Sequence, residues 1–327
     1  MPSPSSSLAT LRSDLGGSMM AFDLAMDREG YIAHRVMPVF ESAVQSGTFG
    51  KIPLAQLLQQ RDTLRAPGSG YSRGNFTFDP ASFACFEHGA EEPIDDRQAQ
   101  LYREYFDAEK VAAERALHAV MSNYEARVAA AIFNATTWTG ASLTTAPTNE
   151  WDDAANALPI DDVEAAARKV WANSGLWPNA LIINRLVFRN LRNCAQIIAR
   201  IAASGAGSPT KATDITAQML AQVFDLEHVI VAGGAQNTAK EGQTAVLSHH
   251  WSNEYAMVAR VATRPNDIQE PCLGRTIHWG KDGSRIGGTV ETYRDEKVRA
   301  DIVRVRHDVD ELVTYVQAGH LLSNITT

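Results

Sequence analysis

From Asp95 to Thr139 the chain carries neither glycine nor proline over 45 residues, and this stretch constrains the fold more than any motif does. Pro93 precedes it, and Asp95 and Asp96 supply the N-cap and first-turn carboxylates that a helix start favours. Leu101, Tyr105, Ala108, Ala112, Ala116, Ala119 and Asn123 recur at intervals of three and four, which is one face of a helix. That face is rich in alanine, so a neighbouring element can approach closely. A helix from Asp95 to about Asn134 would be roughly 60 Å long, against about 11–12 residues for an average globular helix. Such a helix crosses a whole subunit.

What precedes it lacks the pattern of an independent fold. Residues 2–7 are a Ser/Pro tail, and Leu8 to about Gly50 scatters apolar residues (Met19, Met20, Phe22, Leu24, Met26, Ile32, Val36, Val39, Phe40) without a firm stop before Gly47. This reads as an arm with one or two short helices, laid on something else. Ile52 to Leu64 has a short helical pattern, and Ala66 to Gly74 is the clearest turn cluster in the chain. Asn75-Phe76-Thr77-Phe78-Asp79 then alternates as a strand does. The whole predicts a long two-stranded excursion with a glycine-rich tip, and two strands alone are marginal in water.

After a loop at 140–159 the pattern becomes compact. Residues 160–232 predict helix, strand, helix, helix, strand, with buried strands at Ala180–Ile183 and Val229–Ala232 and one helix running from Asn184 past Ile201. Beyond Gly233 the signal is β: Ala245–Leu247, Ala256–Ala259 and Ile277–Trp279, then an Asp282-Gly283 hairpin turn. Two final strands are expected around Ile302–Val305 and Leu312–Val316, with Asp308 to Glu311 as the polar turn between them.

Composition narrows the function. With 30 basic and 38 acidic residues the net charge is −8, so the basic excess of a dedicated nucleic-acid binder is missing. No stretch approaches the ~18 apolar residues of a membrane span. Cys85, Cys194 and Cys272 are an odd set, far apart in sequence, which suits reduced thiols.

The chemical motifs fail on context. Gly70-Tyr71-Ser72-Arg73-Gly74 matches the nucleophile elbow, but that motif needs a strand before the serine and a helix after it. Gly274 to Gly280-Lys281-Asp282 has one residue too many for a phosphate loop and an aspartate where the hydroxyl should stand. Val229 to Gly234 looks like a strand entering a dinucleotide turn without the G-x-G-x-x-G glycines. His249 and His250 point to opposite faces of a strand, and no metal-ligand spacing occurs. Most paired carboxylates sit at helix starts. No catalytic, cofactor or metal site is expected, which favours a structural role. Arg299, Arg304 and Arg306 form a basic cluster interleaved with Asp301 and Asp308, a candidate interface or DNA-facing group.

The order of segments (arm, extended loop, very long helix, mixed α/β block, closing strands) resembles that of the major capsid proteins of tailed bacteriophages, which share the Hong Kong 97-type fold with encapsulins. The resemblance implies an α+β chain divided as follows: 1–50 N-terminal arm, 51–93 extended loop, 94–154 peripheral domain with the spine helix, 155–289 axial domain, 290–327 return strands. It implies a head protein that self-assembles as pentamers and hexamers into an icosahedral shell around double-stranded DNA. The virion capsid would be its location, after assembly in the host bacterial cytoplasm. Phe22, Phe40, Arg65, Tyr71, Arg73, Phe76 and Phe78 would lie in inter-subunit contacts. Beside the scaffold-bearing members of that family the N-terminal extension is too short for a built-in scaffold, so the resemblance implies a separate scaffolding protein, or none, with a portal protein, a decoration protein and non-specific DNA contacts as further partners. An encapsulin-like compartment shell is the alternative; a hydrolase using Ser72 or a nucleotide enzyme using the Gly233 turn is a remote one.

Overall fold

The computed structural model describes residues 30–327 apart from 54, 55, 57, 76, 103–107, 204–213 and 241. The arm up to residue 29 with Phe22, and also Leu54, Leu57, Phe76, Tyr105 and the loop from Gly205 to Thr210, lie outside the described residues.

The chain begins with a helical turn, α1 (Ala33–Val36), followed by β1 (Val39–Ser42) and β2 (Ser46–Lys51). After the excursion come β3 (Asp79–Ala84) and β4 (Phe86–Asp95), then α2 (Asp96–Tyr102), α3 (Ala108–Ile132) and the short β5 (Thr144–Thr145). The mixed block contains α4 (Pro159–Ser174), β6 (Ala180–Asn184), α5 (Arg185–Asn193), α6 (Ala195–Ala203), α7 (Ala217–Val223) and β7 (His228–Ala232). The closing half is β8 (Ala235–Asn237), β9 (Leu247–His249), β10 (Tyr255–Ala259), β11 (Gly274–Trp279), β12 (Thr289–Asp295), β13 (Ala300–Val313) and β14 (Gly319–Ser323).

Two five-stranded sheets organise these elements. The central sheet runs β5-β14-β10-β6-β7, and every residue of β6 is buried, as a continuous apolar run predicts for a covered strand. Helices α4 to α7 pack on it around Trp151, Leu181, Ile183, Leu191 and Ile197. The second sheet runs β1-β11-β13-β12, with β4 also paired to β13. The alanine face of α3 lies on this sheet: Ala112 meets Ile94 and Val303, and Ala116 and Val120 meet Val305. Small side chains there let helix and sheet come together, and the predicted spacing is the reason.

Three expectations are corrected. The helix after Asn184 is two helices, because Cys194 adopts an extended conformation (φ −68°, ψ 129°) and the Ala195 amide donates to Ala154 O at 2.8 Å instead of continuing the helix. Asp308 to Glu311 is not a turn. β13 runs through it, with Asp308 receiving Arg306 at 3.4 Å and Asp310 receiving the Ala84 amide at 3.0 Å. The Asp282-Gly283 turn exists, with Gly283 at φ +89°, but the flanking strands β11 and β12 do not pair with each other: both lie antiparallel along the same edge of β13, one after the other, opposite β4.

Candidate assembly surfaces

The excursion leaves the body through the antiparallel pair β2–β3, registered from Ser46 with Ala84 to Lys51 with Asp79. Strand pairing stops at Asp79, and Asn75, Thr77 and Phe78, the described residues of the alternating run before it, are coil; among the described residues between 52 and 78 only turns and one helical residue, Gln56, interrupt coil. Its root is fastened firmly. Lys51 Nζ donates to Thr314 O at 2.6 Å and stands 4.7 Å from the Tyr315 ring centre, while Tyr315 OH donates to Ile52 O at 3.3 Å. Phe49 and Phe83 pack across the pair, and the Phe78 ring lies against Gly50, where a Cβ would come within 2.8 Å of it.

The tip is ordered by a few contacts of its own. The Arg65 guanidinium sits 4.8 Å over the Tyr71 ring, and its Nε donates to Ser69 O at 2.7 Å around the turn at Gly68, φ +85°. Tyr71 is 74% exposed and Leu64 89%. Arg73 is exposed as well. Of the expected contact residues, Arg65, Tyr71, Arg73 and Phe78 thus belong to one exposed segment. Phe40 does not: it is half-buried in β1, opposite Ile277 of β11.

The basic cluster is an ion-pair network on the face of the β12-β13-β4 sheet away from α3. Arg304 Nε donates to Glu291 Oε2 at 3.0 Å and its guanidinium lies over the Tyr293 ring, whose hydroxyl donates to Glu91. Arg306, only 13% exposed, holds Glu291 at 3.0 Å, Asp308 and Asp282. Burial opposes ionisation of Asp282, but the Ser284 amide and Arg306 outweigh it and draw its carboxyl down to about 2. Burial, with the Asp282 charge beside it, pushes Asp308 up. Arg306 and Arg304 are thereby engaged by carboxylates of their own chain. Arg299 differs: it occupies a positive-φ turn (φ 53°) between β12 and β13, is 79% exposed, and reaches Asp96 only at 4.0 Å.

No family model matches the chain. A curated relative, the major capsid protein of Burkholderia phage BcepMu, is 24% identical over 298 residues, 90% of this chain and 91% of that one. A phage-related protein of Bordetella bronchiseptica superposes with a TM-score of 0.66 at 18% identity over 96% of each chain. The capsid of cyanophage P-SCSP1u gives 0.58 at 11% over 90% of this chain and 88% of that one. The chain has the Hong Kong 97-type capsid fold. The SrpI encapsulin of Synechococcus elongatus shares it more distantly, with a TM-score of 0.51 at 9% identity over 89% of this chain and 86% of that one.

Within this capsid fold the enzymatic alternatives lose their geometry. Ser72 stands in exposed coil with neither a preceding strand nor a following helix. The Gly233 and Gly234 amides, the donors a phosphate would need, both donate to Gly30 O at 3.2 and 3.0 Å. Gly274 opens a strand, not a loop. Among the described residues no group of three or more His, Cys, Asp or Glu side chains is placed to hold a metal ion, and no helix is long and apolar enough to cross a membrane.

Two arrangements had no sequence signal. Glu125, in the middle of α3, is buried and accepts the Ile32 and Ala33 amides, which start α1, at 2.8 and 2.9 Å. His278 of β11 is held between Glu41 and Ser284. Both join segments far apart in the chain, so no local spacing reveals them.

Proposed function

We propose that the chain is the major head protein of a tailed phage, self-assembling into an icosahedral shell of pentamers and hexamers that encloses double-stranded DNA. The observation that carries the reading is the excursion between β2 and β3. It projects aromatic, aliphatic and cationic side chains with almost no packing of its own, yet its root is tied to the body by Lys51, Tyr315 and the β2–β3 pair. A segment held at its base and bare along its length gains burial only against another subunit, and repeated contacts of that kind close a shell. The phage head protein matched over nine-tenths of both chains supports a head over an encapsulin-like compartment.

On this reading the chain resides in the virion capsid after assembly in the host cytoplasm, and its role is structural. A separate scaffolding protein, the portal and a decoration protein are its protein partners. The acidic balance limits adhesion of the wall to packaged DNA, and Arg299 is the member of the basic cluster most open to a phosphate or a neighbouring subunit.

The test is size-exclusion chromatography and negative-stain electron microscopy of the purified protein. Closed shells, or flat rings of five and six, are the expected result. A monodisperse monomer or dimer that stays small with crowding agents and a candidate scaffold overturns the reading.

A further inference from the structure

α5 and α6 hold four arginines, Arg185, Arg189, Arg192 and Arg200, and no aspartate or glutamate, within a chain of net charge −8. Both helices turn apolar residues into one core cluster on the central sheet, Val187 and Leu191 from α5 and Ile197 and Ile201 from α6. With 3.6 residues per turn, Arg185, Arg189 and Arg192 then lie within about 60° of one another on the side of α5 opposite Val187 and Leu191. Arg189 is exposed, Arg192 is half-buried, and Arg200 is exposed on α6.

Elsewhere in the molecule arginines are balanced at home: Arg127, Arg294, Arg304 and Arg306 each hold a carboxylate of their own chain. Arg185 also has a partner within the chain, whereas Arg189, Arg192 and Arg200 have no carboxylate partner among the described residues. The Arg192 guanidinium lies 4.1 Å from the Phe188 ring centre, which holds its plane in place, and its Nε–H has no acceptor. Asn193, exposed at the end of α5, adds a neutral amide beside them. The carboxylate that reaches α6 from α4, Asp161, receives Gln196 Nε2 at 2.8 Å.

A ligand for this face is an anion with several charges at short intervals, lying along a convex helix rather than in a groove. A nucleic-acid duplex meets all three conditions, with one negative charge per about 1.7 Å of its axis. Arginine together with asparagine is also a donor set that phosphates take. A protein partner would seek an apolar centre to its contact, and Val187, Leu191, Ile197 and Ile201 are instead buried in the subunit's own core.

We propose that the outward face of α5 and α6 is where the subunit meets the phosphate backbone of packaged duplex DNA, with Arg189, Arg192 and Arg200 as the contacts. The proposal rests on the head-protein reading and places this helix layer on the inner wall of the shell.

Unassembled subunits titrated against a fluorescent duplex of random sequence, over a series of salt concentrations, test it. Arg189→Gln with Arg200→Gln should weaken binding about tenfold and lower the slope of log K against log salt by about 2; adding Arg192→Gln should lower it by about one more. Lys281→Gln with Arg285→Gln removes the same charge as the first pair from exposed side chains elsewhere and should leave the slope unchanged. Equal slopes for the parent and the α5–α6 variants overturn the proposal, as does an equal loss in the control. Displacement of the duplex by polyglutamate as readily as by unlabelled duplex also overturns it, and assigns the face to an acidic protein partner. In closed shells, Asn193→Cys should resist a maleimide carried on a polymer too large to enter, the native cysteines all being buried. Labelling of intact shells puts the face outside and overturns the proposal while the head-protein reading stands. A parent chain that never forms shells counts against that reading instead, so the two failures are distinguishable.

Discussion

The indole Nε1–H of Trp251 donates to Glu125 Oε1 at 2.6 Å, with both residues essentially inaccessible to solvent. Glu125 also accepts the Ile32 and Ala33 amides, so one carboxylate joins the long helix, the start of the described chain and the segment entering β10. Burial raises its carboxyl, while the Ile32 amide, Trp251 and the Ala33 amide favour the ionised form. Glu125→Ala leaves those donors buried without an acceptor and should cost about 3 kcal/mol. Glu125→Gln keeps one acceptor oxygen and should cost about half as much. Denaturant midpoints of the two variants check this; equal losses would mean that the site is packing alone.

Acid should destabilise the subunit through two buried histidines. His320 donates from Nδ1 to Ser142 O at 3.0 Å and accepts Thr145 Oγ1 at 2.8 Å, while His307 donates from Nδ1 to Ile286 O at 3.2 Å. Each is satisfied as the neutral ring, and burial brings both down to about 4. Because the unfolded chain binds these protons near pH 6.5 and the folded chain only near 4, stability falls as pH drops through that window. The slope should approach about 1.4 kcal/mol per pH unit for each histidine. Unfolding free energies at pH 7, 6 and 5 measure it, and His320→Gln should flatten the curve.

The two central arginines of the ion-pair network should behave unequally. Arg306→Ala strands Asp308, whose side chain is only 4% exposed, and should cost about 3 kcal/mol. Adding Asp308→Asn should recover a good part of that. Arg304, at 38% exposure, is worth about 1 kcal/mol or less. Thermal shifts of the three variants decide the ranking.

Arg65→Ala and Tyr71→Ala should leave subunit stability within about 0.5 kcal/mol of the parent, because neither side chain is buried within the chain. Shell yield should nonetheless fall. Loss of stability in the unassembled subunit would show instead that the tip supports the fold.

How much of this was legible beforehand depends on where each signal originates. The alanine face at Ala108, Ala112 and Ala116, the covered strand at Ala180–Ile183 and the Gly68 turn are written locally, because burial on one side of a helix or strand imposes a period of a few residues. The same holds for the order of segments, which carried the capsid resemblance. The carboxylates misled: Asp308 and Asp310 read as a turn because nothing nearby in sequence shows that Arg306 and the Ala84 amide will meet them inside a strand. Nor does the sequence reveal that Arg304 and Arg306 are neutralised within their own chain, since Glu291 and Asp282 reach them only across the sheet.

By itself, then, the sequence determined the alanine face of the long helix, the covered strand at Ala180–Ile183 and the turn at Gly68. Tertiary structure alone decided the break at Cys194, the alignment of β11 and β12 one after the other along one edge of β13, and the Glu125 junction. Periodicity records which side of an element avoids water. The partner of a buried polar group is chosen across the fold: Glu125 and Trp251 stand 126 positions apart in sequence, and only the packed chain brings them within a hydrogen bond.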